Sequence, residues 1–195
     1  GMTAEEIEAA SAELLAVRDA VWAVRKDRLR TAAAVAEFAG RDAGTSAVAG
    51  YLAVQQALSA IDRMEVRGRD SAGIHVFVWG HGLDPDDPAV RSLLAQRTGD
   101  PLFQNGSVRL AGPCLSFVYK AAAEIGELGD NVKALRAAVQ SDDLLRLALT
   151  APDARVSVLG HTRWASVGII SEPNCHPVNG EQVELPGEAQ QQACY

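Results

Sequence analysis

The sequence predicts an α+β domain with mixed sheets, and an α/β domain is the alternative. Two long stretches with helical spacing of apolar residues come first in the chain. Short β-branched or aromatic runs, separated by helical segments, follow them. The 195 residues are enough for one domain with a substantial core.

Residues 3–39 are predicted to form one long helix. Thr3 and Glu6 have the spacing of a capping box, and Gly40 is a typical helix stop. Steps of three and four place four apolar residues on one stripe: Leu14, Val17, Val21 and Val24. This stripe gives the helix enough apolar surface to bind a partner, and a homodimer is one expected arrangement.

A second helix is predicted over residues 46–63, and residues 40–44 supply the turn that makes a helical hairpin with the first. Its predicted inward residues are Val48, Leu52, Leu58 and Ile61.

The rest of the chain alternates between strand and helix patterns. The predicted strands are 72–80, 107–112, 114–122 and 154–160, of which the second and third form a hairpin. One short helix is predicted over residues 87–97. Two more helices lie within residues 130–150 and are predicted to begin at the caps Asp130 and Ser141.

Charge and cysteine usage exclude several classes of function. The net charge of −7 argues against nucleic acid as the main partner, because phosphate binding needs a basic surface. No apolar run approaches the about 18 residues of a membrane span, so no membrane partner is expected. Cys114, Cys175 and Cys194 are far apart and odd in number, which predicts a cytoplasmic protein. The histidines show no metal-ligand spacing, so neither a metal nor another cofactor is expected.

Two short segments carry arginines next to predicted strands. Residues 67–73, RGRDSAG, hold Arg67 between glycines that allow sharp turns and close approach of a ligand. Residues 161–168, HTRWASVG, hold Arg163 among hydroxyl-bearing residues. A guanidinium is a planar fork for a carboxylate, so this pair suggests an anionic or amino-acid ligand. The alternative is that both arginines pair with acidic residues and fix the turns.

These two segments, followed by SEPNCHP at residues 171–177, resemble the class II glutamine amidotransferases. The chain is most similar to the glutaminase domain of the glucosamine-6-phosphate synthase (glutamine–fructose-6-phosphate aminotransferase) family. That family carries R-G-Y-D-S-A-G, then H-T-R-W-A-T-H-G, and then N-A-H-P. The similarity covers residues 46–80 and 154–177, and the motifs occur in the same order.

The resemblance implies the fold of the N-terminal nucleophile hydrolases, an αββα sandwich of two antiparallel sheets between helical layers. Residues 46–195 would form an incomplete glutaminase-like domain. Residues 1–45 would be a helical extension, and residues 81–113 a further insertion.

The resemblance also implies roles for individual residues. Arg163 would bind the α-carboxylate of glutamine, and Ser166 would keep the hydroxyl that the family places there. Arg67 would order the loop beside the nucleophile, and Trp164 would belong to the loop that closes over glutamine. Four residues match positions with structural roles in the family: Asp70, Gly73, His161 and His176.

Three features depart from the family pattern. The family's nucleophile is a cysteine at the first position, whereas this chain begins Gly1-Met2 and its three cysteines are expected to be inert. Val167 replaces a family histidine near the substrate. The pair at residues 179–180, Asn-Gly, follows His176 too closely to match the family's oxyanion-binding pair, and it is interpreted as a turn.

Two functions remain open from the sequence. The first is the glutamine-binding part of an amidotransferase that supplies ammonia to a sugar phosphate in a separate phosphosugar-binding domain. In this form no catalytic residue is expected in the chain, and it should hydrolyse no glutamine. The second is a non-catalytic, glutaminase-like binding or scaffold module.

Overall fold

One antiparallel sheet lies at the centre of the protein. The computed structural model describes residues 2–97, 103–122, 127–166 and 169–178. Its strands are β1 (Ser71–Trp79), β2 (Val108–Ala111), β3 (Cys114–Ala121) and β4 (Arg155–Arg163), in the order β2-β3-β1-β4. The α+β prediction is confirmed, and so is the β2–β3 hairpin. The expected mixture of strand directions is wrong, since all the paired strands named here are antiparallel.

The α-helices of the described residues precede or separate these strands in the chain. They are α1 (Ala4–Trp22), α2 (Leu29–Ala39), α3 (Thr45–Met64), α4 (Pro88–Ala95), α5 (Asp130–Gln140) and α6 (Asp143–Ala148). A π-helical segment, Ala23–Arg28, joins α1 to α2, so the predicted long helix is present with an altered middle. Helix α2 packs against α3, which confirms the predicted helical hairpin.

Helix α3 supplies one side of the core, but not with all the predicted residues. Leu58 and Ile61 are fully buried, as predicted, whereas Val48 and Leu52 are 42% and 37% exposed. The buried positions nearer its N-terminus are Tyr51 and Val54. Val54 lies four residues before Leu58, and Tyr51 lies three residues before Val54, so both continue its stripe. Val48 and Leu52 belong to the adjacent, outward row of the helix.

The two faces of the sheet differ in how they are covered. Ala72, Ile74, Val76 and Val78 of β1 are fully buried against α3 and its neighbouring helices. The alternate side chains face the other way, because successive residues of a strand point to opposite faces. On this second face, Phe77 and Trp79 are only half-buried, and Leu159 of β4 is 65% exposed.

Two predicted helix caps are wrong by one residue. Helix α5 is preceded by Gly129, whose φ of 96° places it in the left-handed region, and Asp130 is already its first residue. Helix α6 is capped by Asp142, whose carboxylate accepts a hydrogen bond from the Leu145 amide at 3.0 Å. Ser141, the predicted cap, instead donates to a carbonyl at the end of α5. The carboxylate of Asp142, one residue after Ser141, therefore caps the helix.

Strand β4 extends beyond its predicted end at residue 160. Pairing with β1 continues from Gly73 opposite His161 to Ser71 opposite Arg163. The first three residues of the second motif therefore belong to the strand, and residues 164–166 follow it outside the strand.

The hydrophobic core extends into the predicted helical extension. The core includes Val35 and Phe38 of α2, so it crosses the domain boundary predicted at residue 45. Val167, Cys194 and the pair at 179–180 lie outside the described residues. No helix in the described part of the chain is both long enough and apolar enough to cross a membrane.

Candidate functional site

The two arginine-bearing segments lie side by side at one end of the sheet. Arg69 and Arg163 form an isolated parallel β-bridge, and the Asp70 amide donates to the Arg163 carbonyl at 3.2 Å. Gly68 allows this approach, because a Cβ there would lie 2.8 Å from the Thr162 hydroxyl oxygen. The fold therefore joins two motifs that are about ninety residues apart in the sequence.

Hydrogen bonds to the N-terminal end of α5 fix the backbone of the first segment and the turn before it. The Glu65 carboxylate, which is buried, accepts a hydrogen bond from the Gly129 amide. The buried Asn131 side chain donates to the Arg69 carbonyl at 2.8 Å. Both residues were missed by sequence reasoning. A buried carboxylate or amide needs partners, and these partners lie more than sixty residues away, where local patterns give no signal.

Arg67 lies on this fixed backbone with its side chain in solvent. It ends a short 3-10 turn, Glu65–Arg67, immediately before the bridge to the second segment. Its guanidinium forms no hydrogen bond or ion pair with any described residue. All its donors are therefore available to a ligand. Because the backbone is already fixed, only the Arg67 side chain would lose conformational entropy on binding.

Arg163 has a different environment. It is half-buried at the end of β4, and its Nη1 donates to the Asn174 carbonyl at 3.0 Å. This bond ties the end of β4 to residues 171–177, the third motif segment. Arg163, which is predicted to bind the substrate carboxylate, thus also has a structural role within the chain.

Asp70, Trp164 and Ser166 complete the meeting of the first two segments. The Asp70 carboxylate accepts from the Ala165 amide at 2.6 Å, which fixes the chain just after β4. Trp164 is 66% exposed, and Ser166 is also exposed. Trp164 and Ser166, two of the residues that the resemblance assigns to the substrate site, therefore face solvent on either side of the fixed Ala165.

The third segment packs directly on β1. A Cβ at Gly73 would lie 1.9 Å from the His176 carbonyl oxygen, so only glycine permits this approach. Next to it, the Cys175 thiol is 1% exposed and donates to the Ala72 carbonyl at 3.0 Å. Burial raises the pKa of this thiol, so it is a poor nucleophile at neutral pH.

The rings of the two motif histidines lie in contact at a tilted angle. The rings of His161 and His176 have centroids 4.1 Å apart. Desolvation first, and then His176 and Arg163, hold the pKa of His161 below its ordinary value. An uncharged imidazole is therefore favoured at position 161, and the pair joins β4 to the third segment.

Two buried polar groups lie away from the motifs. Asp142 accepts from Arg97 Nη1 and from the Tyr119 hydroxyl, both at 2.6 Å, and so connects α6 with β3. On the second face of the sheet, His75 lies 4.0 Å from the Phe77 ring, centroid to centroid. Burial first, and then the charge of Lys120, lower the pKa of His75 to about 4.

An open cleft lies outside the motif segments, and the described residues form no metal site. A cleft of about 800 Å³ separates the π-helical segment from α3 and α5, and Asp62 and Arg63 on its rim precede the first motif. Within the described residues, no group of three or more His, Cys, Asp or Glu side chains could hold a metal ion.

Comparison with protein-family models, with curated proteins and with solved structures gives no significant match to this chain. The family resemblance therefore depends on the three motif segments and their order. The structure adds that these segments meet at one end of a single sheet.

Proposed function

We propose that this chain is the glutamine-binding part of a class II glutamine amidotransferase similar to glucosamine-6-phosphate synthase. In this proposal the protein is cytoplasmic and takes the fold of a partial N-terminal nucleophile hydrolase. The ammonia from glutamine would pass to a sugar phosphate held by a separate domain.

The convergence of three motif segments carries the proposal. Arg69 pairs with Arg163, Arg163 binds the Asn174 carbonyl, and Gly73 receives the His176 backbone. Such contacts between distant segments are what a shared binding site requires, because each segment alone is too short to enclose a ligand. The half-covered second face of the sheet is consistent with a second layer packing there.

Glutamine would be held by charge and by fixed backbone. Arg163 would bind the α-carboxylate, because its guanidinium is a planar fork of N–H donors that suits a carboxylate. Arg67 would lie near the side-chain amide, and Ser166 would add a hydroxyl. Trp164, which is exposed in the structure, would cover the bound ligand.

Binding without hydrolysis is the expected behaviour of the chain in hand. The family reaction uses a cysteine whose own α-amino group acts as the base. Cys114, Cys175 and Cys194 all lie within the chain, so none of them has a free α-amino group. Ammonia release from glutamine by the purified chain would contradict this part of the proposal.

A second candidate is a non-catalytic scaffold module, and two observations favour it. The Arg163 side chain already donates a hydrogen bond to the Asn174 carbonyl. Helix α1 has no buried residue, so its apolar side chains are exposed. In this case the motif contacts hold only the fold together. Sequencing the source DNA upstream would separate the candidates, since an in-frame Met-Cys-Gly start supports the amidotransferase and its absence supports the scaffold.

Calorimetric titration with L-glutamine tests the binding site directly. Arg67→Ala and Arg163→Ala should each weaken binding by about tenfold or more, because each removes charge-assisted hydrogen bonds. Arg155→Ala is the matched control, since Arg155 begins the same strand at its opposite end. An unfolding curve for each variant separates lost binding from lost structure. No glutamine binding, or equal binding by all three variants, would refute the proposal.

A further inference from the structure

Helix α1 leaves the body of the protein. None of its 19 residues is buried, and in sequence it is joined to the rest only through the π-helical segment. A single helix in water is only marginally stable, because its nucleation is costly and no tertiary packing offsets that cost. The capping box of Thr3 and Glu6 helps only at the N-terminus.

The exposed surface of α1 has the period of a coiled coil. Ile7, Leu14 and Val21 repeat every seven residues, and Ala10 and Val17 repeat between them; Val24, just beyond α1 at the start of the π-helical segment, continues this second row. We call these six residues the α1 stripe. Leu14, at the centre of the stripe, is 71% exposed, and Ile7 is 54% exposed. A row of apolar side chains of this length on a protruding helix is typical of an interaction surface.

The charges beside the α1 stripe distinguish between two orientations of a pair. Glu6 and Glu13 flank one side of the stripe, and Ser11 and Arg18 flank the other. In a parallel pair unlike flanks meet, so Glu13 faces Arg18 of the second copy. In an antiparallel pair like flanks meet, so glutamates approach glutamates.

We propose that two copies of this chain associate through the α1 stripe as a parallel, two-stranded coiled coil. The stripe supplies three a and three d positions, of which all but Val24 lie in α1. The symmetric Glu13–Arg18 contacts select the parallel orientation. This dimer is independent of glutamine binding and would form whether or not the motif site binds a ligand.

Sedimentation velocity over a range of concentrations measures the association. Leu14→Lys should raise the dimer dissociation constant by about a hundredfold or more, since it replaces two seam leucines with buried ammonium groups. Leu15→Lys is the matched control: Leu15 is exposed on the same turn but lies outside the stripe. The thermal unfolding midpoint of the body checks that both variants fold. A monomeric parent chain, or equal effects of the two variants, would overturn the proposal.

Charge exchange tests the seam without removing apolar surface. Glu13→Arg and Arg18→Glu should each weaken self-association, because each places like charges across a parallel pair. An equimolar mixture of the two variants should form heterodimers, since both contacts are then restored. Weakening without rescue in the mixture would overturn the parallel arrangement.

Cysteine cross-linking reports the orientation independently. Val21→Cys places one thiol opposite its equivalent only in a parallel pair, so oxidation should give a covalent dimer. Asp19→Cys, on the outer side of the helix, should not. Both proteins also carry Cys114→Ser and Cys194→Ser, which limits background cross-linking. Failure of Val21→Cys to cross-link in a protein that still dimerises would also overturn the parallel arrangement.

Discussion

The contact of Gly73 with the third motif segment gives a test of how the site is built. In Gly73→Ala the new Cβ would lie 1.9 Å from the His176 carbonyl oxygen and 3.2 Å from the Tyr119 carbonyl oxygen. The His176 backbone must therefore move outward by about 1 Å or more to restore normal contact. Residues 171–177 would separate from β1.

The expected loss of stability follows from the contacts in that segment. The Arg163–Asn174 hydrogen bond, 3.0 Å long, would lengthen, which costs about 1.5 to 3 kcal/mol for a charged donor. Part of the apolar contact of Cys175 would be lost as well, for about 1 kcal/mol. The free energy of unfolding should fall by about 2 to 4 kcal/mol in total.

Urea unfolding and thiol labelling together measure this change. Cys175, which is 1% exposed, should react with a thiol reagent much faster in the variant, as read by mass spectrometry of its peptide. Gly44→Ala is the matched control, since a Cβ there meets nothing within 4 Å and φ is −68°. The reasoning is refuted if both variants are equally stable and Cys175 stays protected.

Two further predictions concern the buried polar groups. Asp142→Ala leaves Arg97 without its buried partner and should lower the free energy of unfolding by about 3 to 5 kcal/mol. Asp143→Ala, which removes the exposed ion pair of Asp143 with Arg146, should cost less than about 1 kcal/mol in the same urea titration. His75 has a folded pKa of about 4, below its unfolded value, so its contribution is complete above pH 6.5 and is lost as the pH falls towards 4. Denaturation at pH 7.5 and pH 5 should differ by up to about 2 kcal/mol from this group, and His75→Phe, which has no such titration near Lys120, should remove that difference; an unchanged difference would contradict the assignment.

The sequence was sufficient for elements with strong local signals. The long helix, the hairpin with α3 and the β2–β3 hairpin all follow from periodicity and turn residues near each other in the chain. The inward row of α3 was not predictable in the same way. Val48 and Leu52 satisfy the helical period as well as Tyr51 and Val54 do, and only the position of the sheet decides between the two rows.

The candidate site shows the same division. Arg67, Arg163 and Asp70 were found because short motifs contain them. Glu65 and Asn131 were not found, because their importance depends on a contact between the first motif and the N-terminus of α5. Long-range hydrogen bonds of buried groups have no period in the sequence.

The π-helical segment between α1 and α2 determines in which direction the α1 stripe points. Its residues are wound more loosely than an α-helix, as the Leu29 amide bonds to the Val24 carbonyl five residues back. In an unbroken α-helix, Val21 and the buried Val35 would lie on nearly the same side. The looser winding rotates α1 away from that alignment. Deleting one residue here would change the rotation by about 100° and reorient any partner of α1 relative to the body, with no change to either surface.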